Sequence, residues 1–245
     1  MKKIIVLSFL SLIAFTASAT SPEKQGSKNS TMKIRQRAAR PDIPGNLLIE
    51  FGLNVLQNDD VGFDAELFGS RTVNIYYLYD IRVGNTNFFV LPGIGLGLDR
   101  YKFDEDITIS NPAGSGMTEF NPIIGGGVKK SMLVTNYIDI PLEVRFLANP
   151  ADSRRSFKVG AGFKVGYLFS SHTKIKQELE GDMSKTKIKN DFNLNRFRYG
   201  VTGRIGVGGF NVFYYQSLNT LFEDGKGPLE TEINNITIGV SFTGF

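Results

Sequence analysis

From residue 47 onward the chain alternates apolar and polar positions with a period of two, over segments of about ten residues. That period sends successive side chains to opposite faces of a strand, and no comparable stretch carries the spacing of an amphipathic helix. In residues 71–83 one face collects Val73, Ile75, Tyr77, Tyr79, Ile81 and Val83, and the other Asn74, Tyr76, Asp80 and Arg82. Residues 88–103 set Phe88, Val90, Ile94, Leu96 and Leu98 against Gly93, Gly95, Gly97 and Asp99. Residues 130–147 set Ile138, Ile140, Leu142, Val144 and Phe146 against Tyr137, Asp139, Glu143 and Arg145. Residues 156–170 set Phe157, Val159, Phe163, Val165, Tyr167 and Phe169 against Lys158, Gly160, Gly162, Lys164 and Gly166. Segments 47–57 (Ile49, Phe51, Leu53, Val55), 195–207 (Tyr199, Val201, Ile205) and 233–242 (Ile236, Ile238, Val240, Phe242) repeat the pattern more weakly. An eighth, 210–218, is aromatic on both faces and yields no facing.

The connections alternate as strictly as the side chains. Short links fall at 84–87, 148–154 and 208–209, and long ones at 58–70, 104–129, 171–194 and 219–232. Eight antiparallel strands with both termini on one side require four long and three short connections if one rim carries turns and the other loops, which is the habit of outer-membrane barrels. The expected fold is all-β, an eight-stranded antiparallel transmembrane up-and-down β-barrel, closed so that no strand edge meets lipid. A soluble sandwich or lipocalin-like barrel also alternates, but it hides its apolar stripe. Here each stripe faces a second surface of glycine and charge, which suits a lipid-facing outside and a narrow, filled lumen. Twenty Phe and nine Tyr supply interfacial girdles, although Trp is absent.

The inward positions hold five acids, Glu50, Asp80, Asp99, Asp139 and Glu143, and six bases, Arg82, Arg145, Lys158, Lys164, Arg198 and Arg204. Eight strands enclose only enough space for side chains, so these charges are expected to pair as a lumen ion-pair network, because unpaired buried charge is costly. A narrow gated polar path is the alternative.

The N-terminus changes the picture of location. Lys2 and Lys3 precede an apolar run at 4–15 and the small triplet Ala17, Ser18, Ala19, which reads as a secretory signal peptide over 1–19, too short to span a bilayer. Cleavage after Ala19 leaves 226 residues: a flexible basic periplasmic lead at 20–46 and a barrel at 47–245. The lead holds six basic and two acidic residues, whereas the barrel holds 20 basic and 22 acidic, so the overall basicity marks the lead and gives no case for nucleic acid. Without Cys there is no disulfide, thiolate nucleophile or Cys-based metal site.

Candidate chemistry is sparse. The one histidine, His172, stands where the fifth strand leaves the membrane, beside Ser170, Ser171 and Glu178. Ser171 points to the opposite face of the strand, and no acid is identifiable for Ser170, so the expectation is no enzyme. Asp59 with Asp60, and Asp104 to Asp106, are loop acids suited to divalent cations of the lipopolysaccharide layer or merely to solvent. The Gly125 to Gly127 run lacks the lysine and serine of a phosphate loop. No cofactor is expected. Thr173-Lys174-Ile175-Lys176 is echoed by Thr186-Lys187-Ile188-Lys189, which predicts a hairpin turning at 180–183 and extending strands five and six outward. At the C-terminus the outward positions are even while Phe245 is odd, so a bulge intervenes or the last residues leave the ladder.

The segments NIYYLYDIRVG (74–84), FFVLPGIGLGLDRYKF (88–103), YIDIPLEVRF (137–146) and LFEDGKGPLETEINNITIGVSF (221–242) resemble the PorT-type family of small outer-membrane β-barrel proteins. The resemblance implies a non-enzymatic barrel in the outer membrane, among lipid and lipopolysaccharide, in some members a component of the type IX secretion system with envelope or secretion-machinery partners. It carries over no catalytic residues. A lipid- or peptide-acting enzyme remains the alternative class.

Overall fold

The computed structural model describes residues 45–57, 68–103, 106–112, 114–153, 155–179, 181–230 and 232–244. The expected signal peptide, all but the end of the basic lead, Asp59, Asp60, Asp104, Glu105 and Phe245 lie outside the described residues.

Among the described residues twelve strands follow in chain order. They are β1 (Asn46–Gln57), β2 (Arg71–Leu78), β3 (Ile81–Arg82), β4 (Phe88–Lys102), β5 (Ile107–Ser110), β6 (Glu119–Pro122), β7 (Val128–Leu147), β8 (Phe157–Leu179), β9 (Asp182–Lys189), β10 (Phe197–Val207), β11 (Phe210–Ser217) and β12 (Asn234–Thr243). The wall is a ring of eight, β1, β2 with its short continuation β3, β4, β7, β8, β10, β11 and β12, and it closes where β12 pairs antiparallel with β1. Of the three remaining strands, β5 and β6 form a separate hairpin. Strand β9 pairs with the outer end of β8 from His172↔Lys189 to Leu179↔Asp182, so Asp182 and Met183, expected in the turn, already belong to the ladder.

Facing follows the alternation. Ile140 is 60% exposed and Leu142 50%, while Asp139 between their neighbours is 0% and Glu50 is 3%. Apolar outside and charge inside is the reverse of a soluble barrel and the arrangement lipid requires. Strand β11, unassigned from sequence, turns Asn211, Phe213, Tyr215 and Ser217 inward and leaves Phe210, Val212 and Tyr214 outside. Outward aromatics gather in two belts. Phe88–Phe146 (5.3 Å between ring centres) and Phe210–Phe242 (5.6 Å) lie near the short turns, and Tyr167–Phe197 (5.4 Å) and Phe163–Tyr199 (6.4 Å) lie toward the loops.

Strand β8 carries a bulge against β7. Tyr137 pairs with Leu168 but Asn136 with Ser170, so Phe169 is an extra residue on β8. Beyond this bulge the alternation of β8 changes phase: Ser171 and Thr173 are buried, and Lys174 is exposed.

Both ends of the lumen carry apolar clusters. On the loop side, the β5–β6 hairpin and the segments before β10 and β12 fold over the mouth. There Tyr101, Phe103, Ile109, Leu133, Phe192, Leu194, Leu221, Phe222 and Ile233 form a buried core. Their backbones knit across loops, with the Thr118 amide donating to Lys226 O at 2.9 Å and the Leu221 amide to Ile233 O at 2.7 Å. On the turn side Leu48, Tyr76, Leu78 and Leu91 pack together.

Candidate functional site

Between the two apolar clusters lies a layer of paired charge, built by strands whose inward positions alternate glycine with ionisable residues. In its first half Arg198 binds Asp139 with two hydrogen bonds, Nε to Oδ1 at 3.0 Å and Nη2 to Oδ2 at 2.6 Å, and its Nη1 donates to Asp99. Tyr76 OH donates to Asp139 Oδ2 at 2.7 Å, and Thr72 Oγ1 lies 2.5 Å from Asp99 Oδ1. Lys164 Nζ stands 3.9 Å from Asp139 Oδ2 and donates to Tyr76 OH at 3.3 Å. Lys164 also sits 3.8 Å above the Tyr215 ring, as the Arg198 guanidinium sits 3.9 Å above that of Tyr137.

The second half is built the same way. Arg204 spans two carboxylates, Nη2 reaching Glu50 Oε1 at 2.5 Å while Nη1 donates to Glu143. Arg145 Nε donates to the other oxygen of Glu143 at 2.8 Å. Asn74 Nδ2 donates to Glu50 Oε2 at 2.8 Å, and Thr72 Oγ1 approaches Asn74 Oδ1 at 3.0 Å, which links the halves.

Register explains why these pairs close. Asp139, Gly166 and Arg198 are direct neighbours across β7, β8 and β10. A Cβ on Gly166 would fall 2.2 Å from Asp139 Oδ1, so the missing side chain is the space the ion pair occupies. Gly160 has the same place between Arg145 and Arg204, where a Cβ would meet Glu143 Oε1 at 2.3 Å.

Of the eleven charges expected to line the lumen, the structure brings eight together: Glu50, Asp99, Asp139 and Glu143 with Arg145, Lys164, Arg198 and Arg204. Four carboxylates meet four cations, and each buried charge has an opposite partner within the layer. Asp80, Arg82 and Lys158 stand apart. Asp80 accepts from Asn46 Nδ2 in the gap between β2 and β3, and Arg82 is exposed and donates from Nε to Thr86 O at 2.9 Å. Lys158 is half-buried at the turn end of β8. These three have the inward alternation but lie at the rim, where the wall no longer encloses them. Sequence reading passed over Thr72 and Tyr215. Thr72 shares the inward alternation of Asn74 and Tyr76, while Tyr215 lay on the unassigned strand.

What the layer can do chemically is limited by its closure. A space of about 20 Å³ lies beside it under the cap, among Tyr101, Tyr137, Arg198 and Tyr215, which is room for about one water. At the outer rim, Ser171 Oγ donates to Asn190 O at 2.5 Å and faces away from His172, while Glu178 is engaged by Lys129 at 3.2 Å.

Among solved structures the chain is similar to Ail, the attachment invasion locus protein of Yersinia pestis. The identity is 11%, over 82% of this chain and 97% of that one, with a TM-score of 0.35. The same protein in complex with the heparin analogue sucrose octasulfate aligns at 12% identity over 82% and 100%, again with a TM-score of 0.35. No curated protein matches. Residues 25–223 match the outer membrane protein beta-barrel domain. A ring of eight strands with lipid-facing apolar residues around paired charge is thus joined to a family match over most of the chain, and the protein belongs to the outer membrane protein beta-barrel domain family.

Proposed function

We propose that the chain, once cut from its signal peptide after Ala19, serves as a non-enzymatic barrel with a structural or partner-binding role in the cell envelope, and that assembly of secretion machinery of the type IX kind is the finer form of that role. The observation that carries this reading is the neutral, side-chain-filled lumen. Four acids pair with four bases between two apolar clusters, which fill the lumen at the level of the ion-pair layer and leave no wide conduit there. A protein of this build acts through its surfaces. The β8–β9 ribbon is one of them, since the second edge of β9 is unpaired among the described residues, although its lysines discourage strand addition.

Two measurements test the reading. In planar bilayers the protein should show no steady, large conductance, and a persistent open level would overturn the filled lumen. Affinity purification from outer membranes should recover a defined envelope protein that is lost when residues 174–189 are deleted. Peptidase or lipid deacylase activity that disappears in His172→Ala would transfer the protein to the enzyme class.

A further inference from the structure

Above its lipid-facing band, one side of the barrel turns uniformly basic. The registers of β2, β4, β7, β8 and β9 align outward positions into tiers that cross the wall. The first runs Arg71, Arg100, Val134, His172, Lys189. The next is Lys102, Met132, Lys174, Lys187, and the one above it Lys130, Lys176, Lys185. No carboxylate stands in any of the three. Lys174 faces Lys187 directly and Lys176 faces Lys185, an opposition that destabilises a strand pair unless an external anion neutralises it. Among the described residues no ion pair reaches Arg71, Arg100 or these four lysines. The Phe169 bulge produces the array: without its extra residue Lys174 and Lys176 would share the inward phase of Lys158 and Lys164.

The location of the array indicates what it binds. Val73 and Leu98, the apolar pair one outward step below Arg71 and Arg100, belong to the band that meets lipid. Between these two tiers runs an open groove of about 430 Å³, walled by Phe51, Leu53, Val73, Leu98, Ile238 and Val240 and bordered above by the two arginines. Because barrel strands tilt, the tiers climb outward as they pass from β2 to β9, so the basic face begins at the hydrocarbon boundary and rises through the headgroup layer.

We propose that this face is a binding site for the phosphate groups of the outer-leaflet glycolipid, with the groove below Arg71 and Arg100 holding part of an acyl chain. The anion neutralises the lysine ladder, and the ribbon stands against the headgroups instead of projecting freely into solvent. This site is independent of the filled lumen, and it uses the outward face of the ribbon whereas a protein partner would pair with the free edge of β9.

The test uses the full mature chain, refolded and captured by nanodiscs. These contain lipid A or enzymatically dephosphorylated lipid A, and heparin serves as a soluble polyanion in competition. Wild-type protein should prefer phosphorylated lipid A by at least about tenfold, and the preference should weaken with salt. The variant Arg100→Gln/Lys174→Gln/Lys176→Gln/Lys187→Gln should lose on the order of 100-fold in affinity, while Lys226→Gln, on the cap, should bind as wild type. Equal binding to dephosphorylated lipid A would overturn the proposal, as would an unchanged affinity in the variant. Heparin binding as tight as that of lipid A would reassign the face to soluble polyanions. Should the variant fail to insert, the wild-type comparison between the two lipids still decides.

Discussion

Arg198 holds Asp139 from two strands away, with parallel hydrogen bonds of 3.0 and 2.6 Å that pass over Gly166 on the strand between them. Two-point contacts of this kind are the strong form of a charge-assisted hydrogen bond, and this one is buried.

Truncating the arginine should therefore cost far more than deleting a surface pair. Arg198→Ala leaves Asp139 and Asp99 without their guanidinium, and the expected loss is about 3–5 kcal/mol of barrel stability. Urea unfolding in lipid vesicles, followed by heat-modified gel mobility, measures it. Arg198→Met combined with Asp139→Asn should recover part of the loss, because the uncompensated charge at Asp139 is removed as well.

Gly166→Ala should be destabilising by about 1–3 kcal/mol, since the new methyl falls 2.2 Å from Asp139 Oδ1 and 2.9 Å from the Arg198 side chain, both fixed by their mutual bonds. Gly203→Ala is the matched control. A Cβ there meets nothing within 4 Å, so its midpoint in the same unfolding series should stay within about 0.5 kcal/mol of wild type.

The cap is held over the barrel mouth by an apolar cluster that includes Tyr101 and Leu133 of the wall. Phe222 lies in its centre, 1% exposed, and Phe192 beside it is held at φ 51°, a backbone conformation that only surrounding packing sustains in a phenylalanine. Phe222→Ala should cost about 3–5 kcal/mol, largely as local opening of the loops. Limited proteolysis should cut within 108–122 and 219–233 of the variant while the barrel core persists, and conductance should remain absent because the ion-pair layer lies beneath.

His172, the single histidine, is a direct reporter on the basic face. Partial burial lowers its pKa below the ordinary 6.5, and the charges of Lys187, Lys174, Lys189 and Arg100 push it the same way. Below about pH 6.5 the unfolded chain accordingly takes up a proton that the folded chain still refuses. The contribution to stability is whole above the unfolded pKa and is lost as pH falls through the depressed folded value. The imidazole resonances followed by NMR against pH should give a midpoint under 6.5 in neutral detergent. They should move upward when phosphorylated lipid A is added, since an anion offsets the neighbouring cations.

Much of the barrel is readable without coordinates, because strand alternation is local. Glu50, Asp99, Asp139 and Arg204 reveal their inward direction by position relative to apolar neighbours two residues apart, and the unequal connections determine how many strands there are and which rim carries the loops. The ambiguous strand was β11, where Phe213 and Tyr215 inside mirror Val212 and Tyr214 outside. Alternation has no meaning when both faces are aromatic, and only the neighbours of β11 assign its sides.

What alternation leaves open is everything that depends on register between distant strands. Arg204 and Glu50 are 154 residues apart and meet only because the ring closes through β12 and β1. Asp80, Arg82 and Lys158 have the same alternation as the paired charges, yet they lie at a rim where, among the described residues, none of them is in ion-pair contact with an opposite charge. The extra residue at Phe169 is invisible in the one-dimensional pattern, although it turns Lys174 and Lys176 outward and makes the basic face. The sequence by itself determined the number of wall strands, the facing of all but β11 and the outer end of β8, and the loop side, since these follow from spacing along a single segment. Pairing partners, cap and cationic surface were decided by the tertiary structure, since each requires two segments to be held at one particular offset.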